Sequence, residues 1–387
     1  MGKKILFLTG TRADFGKLKP LMKAVEENPR FTNYVFVTGM HTLRRYGLTA
    51  GEVLRTGFKN VHVYMNQVNG DPMDIILSST ITGMSRFINE YRPDMIVVHG
   101  DRVEALAGAI VGSLNNILVA HIEGGEVSGT IDGLIRHSIS KLAHIHFVSN
   151  EEARYRLVQM GENPNAIFVI GSPDVDVMLS SDLPTLDDAR ERYEIPFQDY
   201  SLVLFHPVTS EIRYLKKYAQ DFTGALLDSQ RNYVVVYPNN DMGCDKIFDA
   251  YKILVGNPRF KLFPSIRFEY FLSLLKNSKF MIGNSSAGIR EAPIYGVHSI
   301  NVGTRQQNRF DYPSIINICY EKDSILIAIN KIDNLAKPKP CFTFGKGNST
   351  LAFMKAIQSR KLWKVDTQKT FLDLPIRLKD GAQLHRA

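Results

Sequence analysis

The densest set of reactive side chains in this 387-residue chain lies between His121 and His137. Glu123, Glu126 and Asp132 place three carboxylates within seventeen residues, together with two histidines and Arg136, and glycines are interleaved among them. Glycine beside a carboxylate lets backbone approach a ligand closely, and carboxylates in different environments can divide acid and base duties. A solvated acidic loop would have a similar composition. Chemistry is favoured because the cluster directly follows an apolar run and because Thr130 opens a helical pattern that aims Asp132 back toward the end of that run. Another acid, Asp101, follows the run Met-Ile-Val-Val-His-Gly and precedes Arg102. It reads either as a base or as the N-cap of a helix starting at Arg102. A His-x-Glu with no second matched pair is poor evidence for a metal, and none is expected.

Other segments have the character of anion seats. Gly10-Thr11-Arg12-Ala13-Asp14-Phe15-Gly16 permits a tight turn into a helix whose first amides, with Arg12, face an anion; a loop glycine beside a surface arginine is the plainer reading. It is not the G-x-G-x-x-G pattern, which disfavours a nicotinamide cofactor. Gly283-Asn284-Ser285-Ser286-Ala287-Gly288-Ile289-Arg290-Glu291 reads as strand, short turn and helix, with two hydroxyls and free amides suited to a pyrophosphate and Glu291 suited to ribose hydroxyls. Serine capping alone would also explain it. His206, in Phe205-His206-Pro207, ends an apolar run and is suited to meet a phosphate leaving group, although a lone histidine is more often structural. Arg305 ends another run.

The elements that must position these groups are short, continuously apolar runs alternating with helical patterns. The runs fall at 5–9, 34–38, 95–99, 117–121, 145–149 and 167–170, then at 202–205, 233–237, 280–283 and 299–302. Runs apolar throughout are the mark of parallel strands covered on both faces, so the fold class is α/β. The polar, proline-punctuated stretch 180–196 divides the chain into an N-terminal unit, 1–180, and a C-terminal unit, 181–349. Each is read as a doubly wound, Rossmann-like domain, the two facing each other across a cleft at the carboxyl ends of their strands. The tail from Arg377 onward is polar and reads as disordered or an appended remnant.

Composition bounds the rest. Hydrophobic and charged fractions of 44% and 22% are those of a soluble globular protein. No apolar run reaches the roughly 18 residues of a membrane span, and the start lacks the apolar core of a secretion signal, so no membrane partner and a cytoplasmic location are expected. Three widely spaced cysteines, Cys244, Cys319 and Cys341, fit free thiols in a reducing compartment. A net charge of +8 suits either a solvated basic surface or an anionic ligand; without a dense Lys/Arg block carrying interleaved aromatics, no nucleic-acid partner is expected.

Six segments together resemble the UDP-N-acetylglucosamine 2-epimerase family: Gly-Thr-Arg-Ala-Asp at 10–14, Gly-Asp-Arg at 100–102, His-Ile-Glu-Gly-Gly-Glu at 121–126, Phe-His-Pro at 205–207, Gly-Asn-Ser-Ser at 283–286 and Gly-Thr-Arg-Gln at 303–306. The non-hydrolysing branch usually carries Gly-Thr-Arg-Pro-Glu at the first turn. Ala13-Asp14 and the run Glu-Val-Ser-Gly-Thr-Ile-Asp at 126–132 resemble the hydrolysing branch, including bacterial sialic-acid-pathway enzymes. The resemblance implies a GT-B-like fold in which a helix from about Thr350 packs back on the first domain. It implies a UDP-sugar as partner, no cofactor, and a homodimer or homotetramer. Carried onto matching positions, Ser285, Ser286, Arg12 and Arg305 would hold the diphosphate, Glu291 the ribose, and His206 would sit near the diphosphate bridge. Asp14, Arg102, Glu126, Arg136 and Asn284 complete the expected binding set. The implied reaction is anti elimination of UDP across C1–C2 to 2-acetamidoglucal, then hydration. Asp101 and Glu123 are expected to handle C2 and Asp132 to place water. A non-hydrolysing epimerase, the same reaction on UDP-2,4-diacetamido-2,4,6-trideoxyglucose, a glycosyltransferase and a silent nucleotide-sugar sensor are the rivals.

Overall fold

The computed structural model describes residues 2–370 and 372–373; the tail from Arg377 onward lies outside the described residues. Two wholly parallel sheets organise the chain. The first contains β1 (Lys3–Thr9), β2 (Phe31–Val37), β3 (Val61–Val63), β4 (Met95–His99), β5 (Leu118–Ile122), β6 (Ile145–Val148) and β7 (Ile167–Val169), in the order β3-β2-β1-β4-β5-β6-β7. The second contains β8 (Ser201–Leu204), β9 (Tyr233–Val236), β10 (Phe260–Phe263), β11 (Phe280–Gly283), β12 (His298–Val302) and β13 (Ile315–Ile318), in the order β10-β9-β8-β11-β12-β13. Helices follow most strands and cover both faces, which is why β4 is buried from Met95 to Val98 and β12 along its whole length. Strand order reverses between β1 and β4 in one sheet and between β8 and β11 in the other. Those reversals open a crevice at the strands' carboxyl ends. They place the Arg12 turn beside Asp101, and His206 beside Ser285.

Three strands, β3, β10 and β13, have no counterpart among the apolar runs of the sequence. All are sheet edges of three or four residues, and each is partly exposed, so only one neighbour and part of one face ask for apolar side chains.

The chain crosses between the sheets twice. On the outward crossing the helix Pro173–Met178 already packs with the second sheet, Val175 and Met178 sharing a core with Leu202, Val234 and Met281. On the return, the helix Ser349–Gln358 buries Phe353 against Phe7 and Phe147, with ring centroids 6.3 and 4.9 Å apart. Asp176 joins the crossings, its carboxylate accepting from the amides of Ser349 and Thr350 at 2.8 and 2.7 Å. A carboxylate on the first amides of a helix satisfies orphan donors and meets the positive end of the dipole. Among the described residues, no helix is long and apolar enough to cross a membrane.

Candidate active site

A cleft of about 300 Å³ runs between the facing carboxyl ends of the two sheets. Arg12, Asp14, Asp101, Arg102, Glu123, Asp132 and Arg136 line it from the first sheet's side, and His206, Ser285, Ser286, Glu291 and Arg305 from the second's. Glu126 and Asn284 do not line it. Glu126 is buried behind the wall, accepting from Ser149 Oγ at 2.8 Å and pairing with Arg290. The Asn284 side chain clasps the backbone of His206, accepting from its N–H at 2.6 Å and donating to its carbonyl at 2.8 Å. Asp14 reaches the lining but spends its carboxylate on the turn, accepting from the Gly10 and Thr11 amides at 3.0 Å each and from Thr9 Oγ1 at 2.6 Å. It is the acid of a capping box whose N-cap is Thr11, and so fixes the start of the Arg12–Glu26 helix.

Besides Asp14, three carboxylates stand on the first sheet's side. Asp101 does not cap the following helix Val103–Leu114, whose N-cap is Arg102; it pairs with Arg136 instead. Burial would raise its pKa, but Arg136, Arg309 and Arg305 outweigh burial and hold the carboxyl well below the usual range. Glu123 follows β5 with φ +63°, the left-handed region that is rare outside glycine and costs about 1–3 kcal/mol. Its N–H donates to Phe147 O at 2.9 Å, and Arg136 donates to its carbonyl. The Glu123 side chain is ionised against the effect of burial by Arg290 at 2.6 Å, by Lys17 nearby, and by His99, whose Nε2 lies 3.2 Å from Oε2. Asp132 differs. Thr130 caps its helix, Ile131–Leu142, and Arg305 reaches across the cleft to its Oδ2 at 2.8 Å. Burial nevertheless lifts its pKa above the usual range; Arg305 opposes that rise, and Asp101 and Asp241 reinforce it. These three carboxylates therefore divide into two held in the ionised form and one that protonates more readily.

The opposite wall presents serine hydroxyls, a histidine and arginines beside the Glu291 carboxylate. The segment after β11 follows the expected order of turn and helix, with the helix beginning only at Glu291. It makes a 3-10 turn at Ser286–Gly288, capped by Ser285 Oγ, then a short helix at Glu291–Ile294. Pro293 has no N–H to donate back along a helix, and Gly296 ends the segment at φ +62°. The macrodipole of so short a piece is small, so an anion seated there would rely on free amides, serine hydroxyls and arginines. His206 Nδ1 accepts from the Asn239 N–H at 3.0 Å, which leaves the ring proton on Nε2. Burial, with Arg305 and Arg102 nearby, keeps this histidine neutral far below its ordinary pKa. It is a fixed neutral donor. Arg305 donates to Asn284 O at 3.3 Å beside the Ser285 turn. Arg12 donates to Glu52 at 2.6 Å and to Ser265 Oγ of the second sheet's side at 2.7 Å. Arg102 joins Glu104 at 3.1 Å and reaches Asn240 at 2.9 Å.

The lining residues outside the sequence-based set include Lys17, His99, Arg290 and Arg309. Lys17 is buried in the middle of the first helix and joins Asp174 at 2.9 Å and Glu291 at 2.8 Å. The second oxygen of Glu291, Oε2, is buried without a hydrogen-bond partner. Arg290 spans the cleft floor to Glu123 and Glu126 and lies over the Phe344 ring at 4.6 Å. A lysine inside an amphipathic helix reads as a snorkelling surface residue, so nothing local marks Lys17; Arg290 was visible only as a neighbour of Glu291. Among the described residues, no three His, Cys, Asp or Glu side chains are arranged to hold a metal ion.

The chain as a whole is similar to known proteins. A family model described as UDP-N-acetylglucosamine 2-epimerase matches residues 23–358. The chain is 51% identical over 375 residues to UDP-N-acetylglucosamine 2-epimerase of Neisseria meningitidis serogroup B, covering 96% of this chain and 99% of that one. It is 32% identical over 354 residues to UDP-N,N'-diacetylbacillosamine 2-epimerase (hydrolyzing) of Legionella pneumophila, covering 90% and 94%. The Methanocaldococcus jannaschii UDP-GlcNAc 2-epimerase, solved in complex with UDP-GlcNAc and UDP, has the same two-domain α/β fold, with a TM-score of 0.79 at 21% identity over 92% of this chain and 99% of that one.

Proposed function

The chain belongs to the UDP-N-acetylglucosamine 2-epimerase family, and we propose that it is a hydrolysing member, converting UDP-N-acetylglucosamine and water to UDP and N-acetylmannosamine. The observation that carries this reading is the split among the cleft's carboxylates, Asp101 and Glu123 firmly ionised and Asp132 inclined to protonate, opposite a wall of hydroxyls, arginines and a neutral histidine. Epimerisation at C2 by elimination needs one group to accept the C2 proton and another to return a proton on the other face. Asp101 is ionised across the working range and suits the accepting role. Asp132 suits the returning role, and Glu123, locked by Arg290 and Ser172, suits orientation of the water that attacks C1. This exchanges the duties of Glu123 and Asp132 relative to the sequence-based expectation, because burial acts on Asp132 without a fixed buried partner like Arg290.

Departure of UDP from C1 leaves negative charge on the β-phosphate oxygen. His206 Nε2–H, Arg305, Arg12 and the Ser285–Ser286 turn are the donors that would meet it, and pre-aimed donors of this kind contribute several kcal/mol to a barrier. Glu291 Oε2 is the acceptor available to ribose hydroxyls. No metal or redox step is needed for this scheme. Ala13-Asp14 at the first turn and the hydrolysing activity named for the Legionella relative support the hydrolysing branch. The same relative supports one second reading, hydrolysis of a 2,4-diacetamido-6-deoxy substrate. A homodimer or homotetramer working in the cytoplasm accompanies the main reading, and light scattering tests the oligomer.

Phosphorus NMR with each substrate in turn separates the readings. UDP appearing from UDP-N-acetylglucosamine is the expected result. A phosphorus spectrum that retains an intact UDP-sugar while the sugar epimerises would place the chain in the non-hydrolysing branch. Turnover confined to the diacetamido substrate would establish the second reading.

A further inference from the structure

The arginine best placed to receive a diphosphate is held by a carboxylate of the opposite domain. Arg305 lies beside the Ser285 turn through its bond to Asn284 O at 3.3 Å, while its other terminal nitrogen spans the cleft to Asp132 Oδ2 at 2.8 Å. Asp132 has no other ion pair among the described residues. Its remaining charged surroundings come from three directions. Asp101, after β4, and Asp241, after β9, are negative; Arg309, on the same loop as Arg305, is positive but also faces Asp101 and Glu126. Arg136, one turn further along the Asp132 helix, is committed to Asp101 and the Glu123 carbonyl. Asp132 therefore depends on Arg305 for its nearest compensation.

We propose that the Arg305–Asp132 pair is a ligand-operated proton gate: a nucleoside diphosphate entering the seat draws Arg305 away from Asp132, and Asp132 takes up a proton from solvent. This rests on the reading of the cleft as a UDP-sugar site and extends it. A diphosphate presents more negative charge and more acceptor oxygens than one carboxylate, so the guanidinium transfers to it. Asp132 then loses its cation and gains an anion nearby, with Asp101 and Asp241 still facing it, and each change favours the protonated acid. Arg305 becomes a positioning residue as well as a phosphate ligand. Seating of the leaving group loads the proton donor, so protonation of the acid is favoured further when a nucleotide is present. The proton is drawn from water before the chemical steps and enters the balance as the one later delivered to C2.

The gate is tested by titrating the full-length protein with UDP in a calorimeter, at the same weakly acidic pH in buffers of different ionisation enthalpy. The wild type is expected to take up protons on binding, and Asp132→Asn to bind UDP with that uptake lost. Comparing the two removes the proton carried by the terminal phosphate of UDP itself. The infrared difference spectrum of the wild type on UDP binding should also gain a protonated-carboxyl band, a readout that needs no variant. Binding with equal uptake in wild type and variant, or binding with no new carboxyl band, overturns the gate and leaves the nucleotide site standing. Absence of UDP binding overturns both.

Discussion

At His206 a single backbone amide decides what the side chain can contribute. The Asn239 N–H occupies Nδ1, and burial beside Arg305 and Arg102 suppresses protonation, so the ring offers one hydrogen-bond donor and no titratable charge near neutrality. Replacing it by Ala is expected to cost about 10²–10³-fold in kcat, the range for one donor aimed at developing negative charge. His206→Gln, which keeps a donor, should recover part of that loss. Neither variant should move the acid limb of the pH–rate profile, because the histidine remains neutral across it. Steady-state kinetics from weakly acidic to neutral pH checks this, and a limb that disappears with the histidine would assign the titration to His206. Asp132, by contrast, acts in its protonated form, so its contribution declines as pH rises through its elevated pKa.

At the scale of elements, the site depends on a few tight approaches. Gly283 ends β11 at φ +138°, and a Cβ there would lie 1.9 Å from the Leu204 carbonyl oxygen of β8. Backbone cannot yield as a flexible side chain does, so Gly283→Ala should part the two strands that carry His206 and Ser285. A large fall in melting temperature followed by circular dichroism, with loss of UDP binding, is expected; wild-type stability would contradict it. The elements around this point were legible in the sequence because buried central strands are apolar throughout, as at 95–99 and 280–283. The edge strands β3, β10 and β13 were not, since half-exposed strands of three or four residues carry little periodic signal. The same limit applies in the site. Asp101, Glu123, Asp132, His206 and Arg305 could be picked out because they end apolar runs or sit among glycines. Lys17 could not, because its partners Asp174 and Glu291 lie far along the chain.

A second element-scale contact ties the last described segment to the first sheet. Glu162 is buried, accepting from Lys141 at 2.8 Å, His146 at 3.1 Å and Lys369 at 2.5 Å. Burial opposes its ionisation, but His146, Lys369 and Lys141 overcome that and bring its pKa from 4.5 down to about 2. A depressed carboxylate stabilises the fold fully above its unfolded pKa, and this contribution is lost as pH falls through the folded value. Urea midpoints should therefore drop between pH 4.5 and about 2. In Glu162→Gln the midpoint should be lower at neutral pH, and the part of the acid slope due to this residue should vanish. An unchanged slope would contradict the linkage.

Across the whole molecule, buried and partly buried polar contacts bridge the two domains over the cleft. Lys17 reaches Glu291, Arg290 reaches Glu123 and Glu126, Arg305 reaches Asp132, and Arg102 reaches Asn240. Removing one partner of a buried pair leaves an uncompensated charge, which typically costs about 3–5 kcal/mol. Arg290→Met should lose about that much, read as a lower urea midpoint and faster proteolysis in the crossing segments. A variant as stable as the wild type would mean that the network positions groups without holding the domains.

The most direct test of the account as a whole is proton NMR of the enzyme turning over UDP-N-acetylglucosamine in deuterated buffer. Elimination followed by hydration predicts N-acetylmannosamine carrying deuterium at C2, formed as UDP is released. N-acetylmannosamine that keeps its original C2 proton would contradict proton exchange by the cleft's carboxylates, and an unhydrolysed UDP-sugar product would contradict the assignment to the hydrolysing branch.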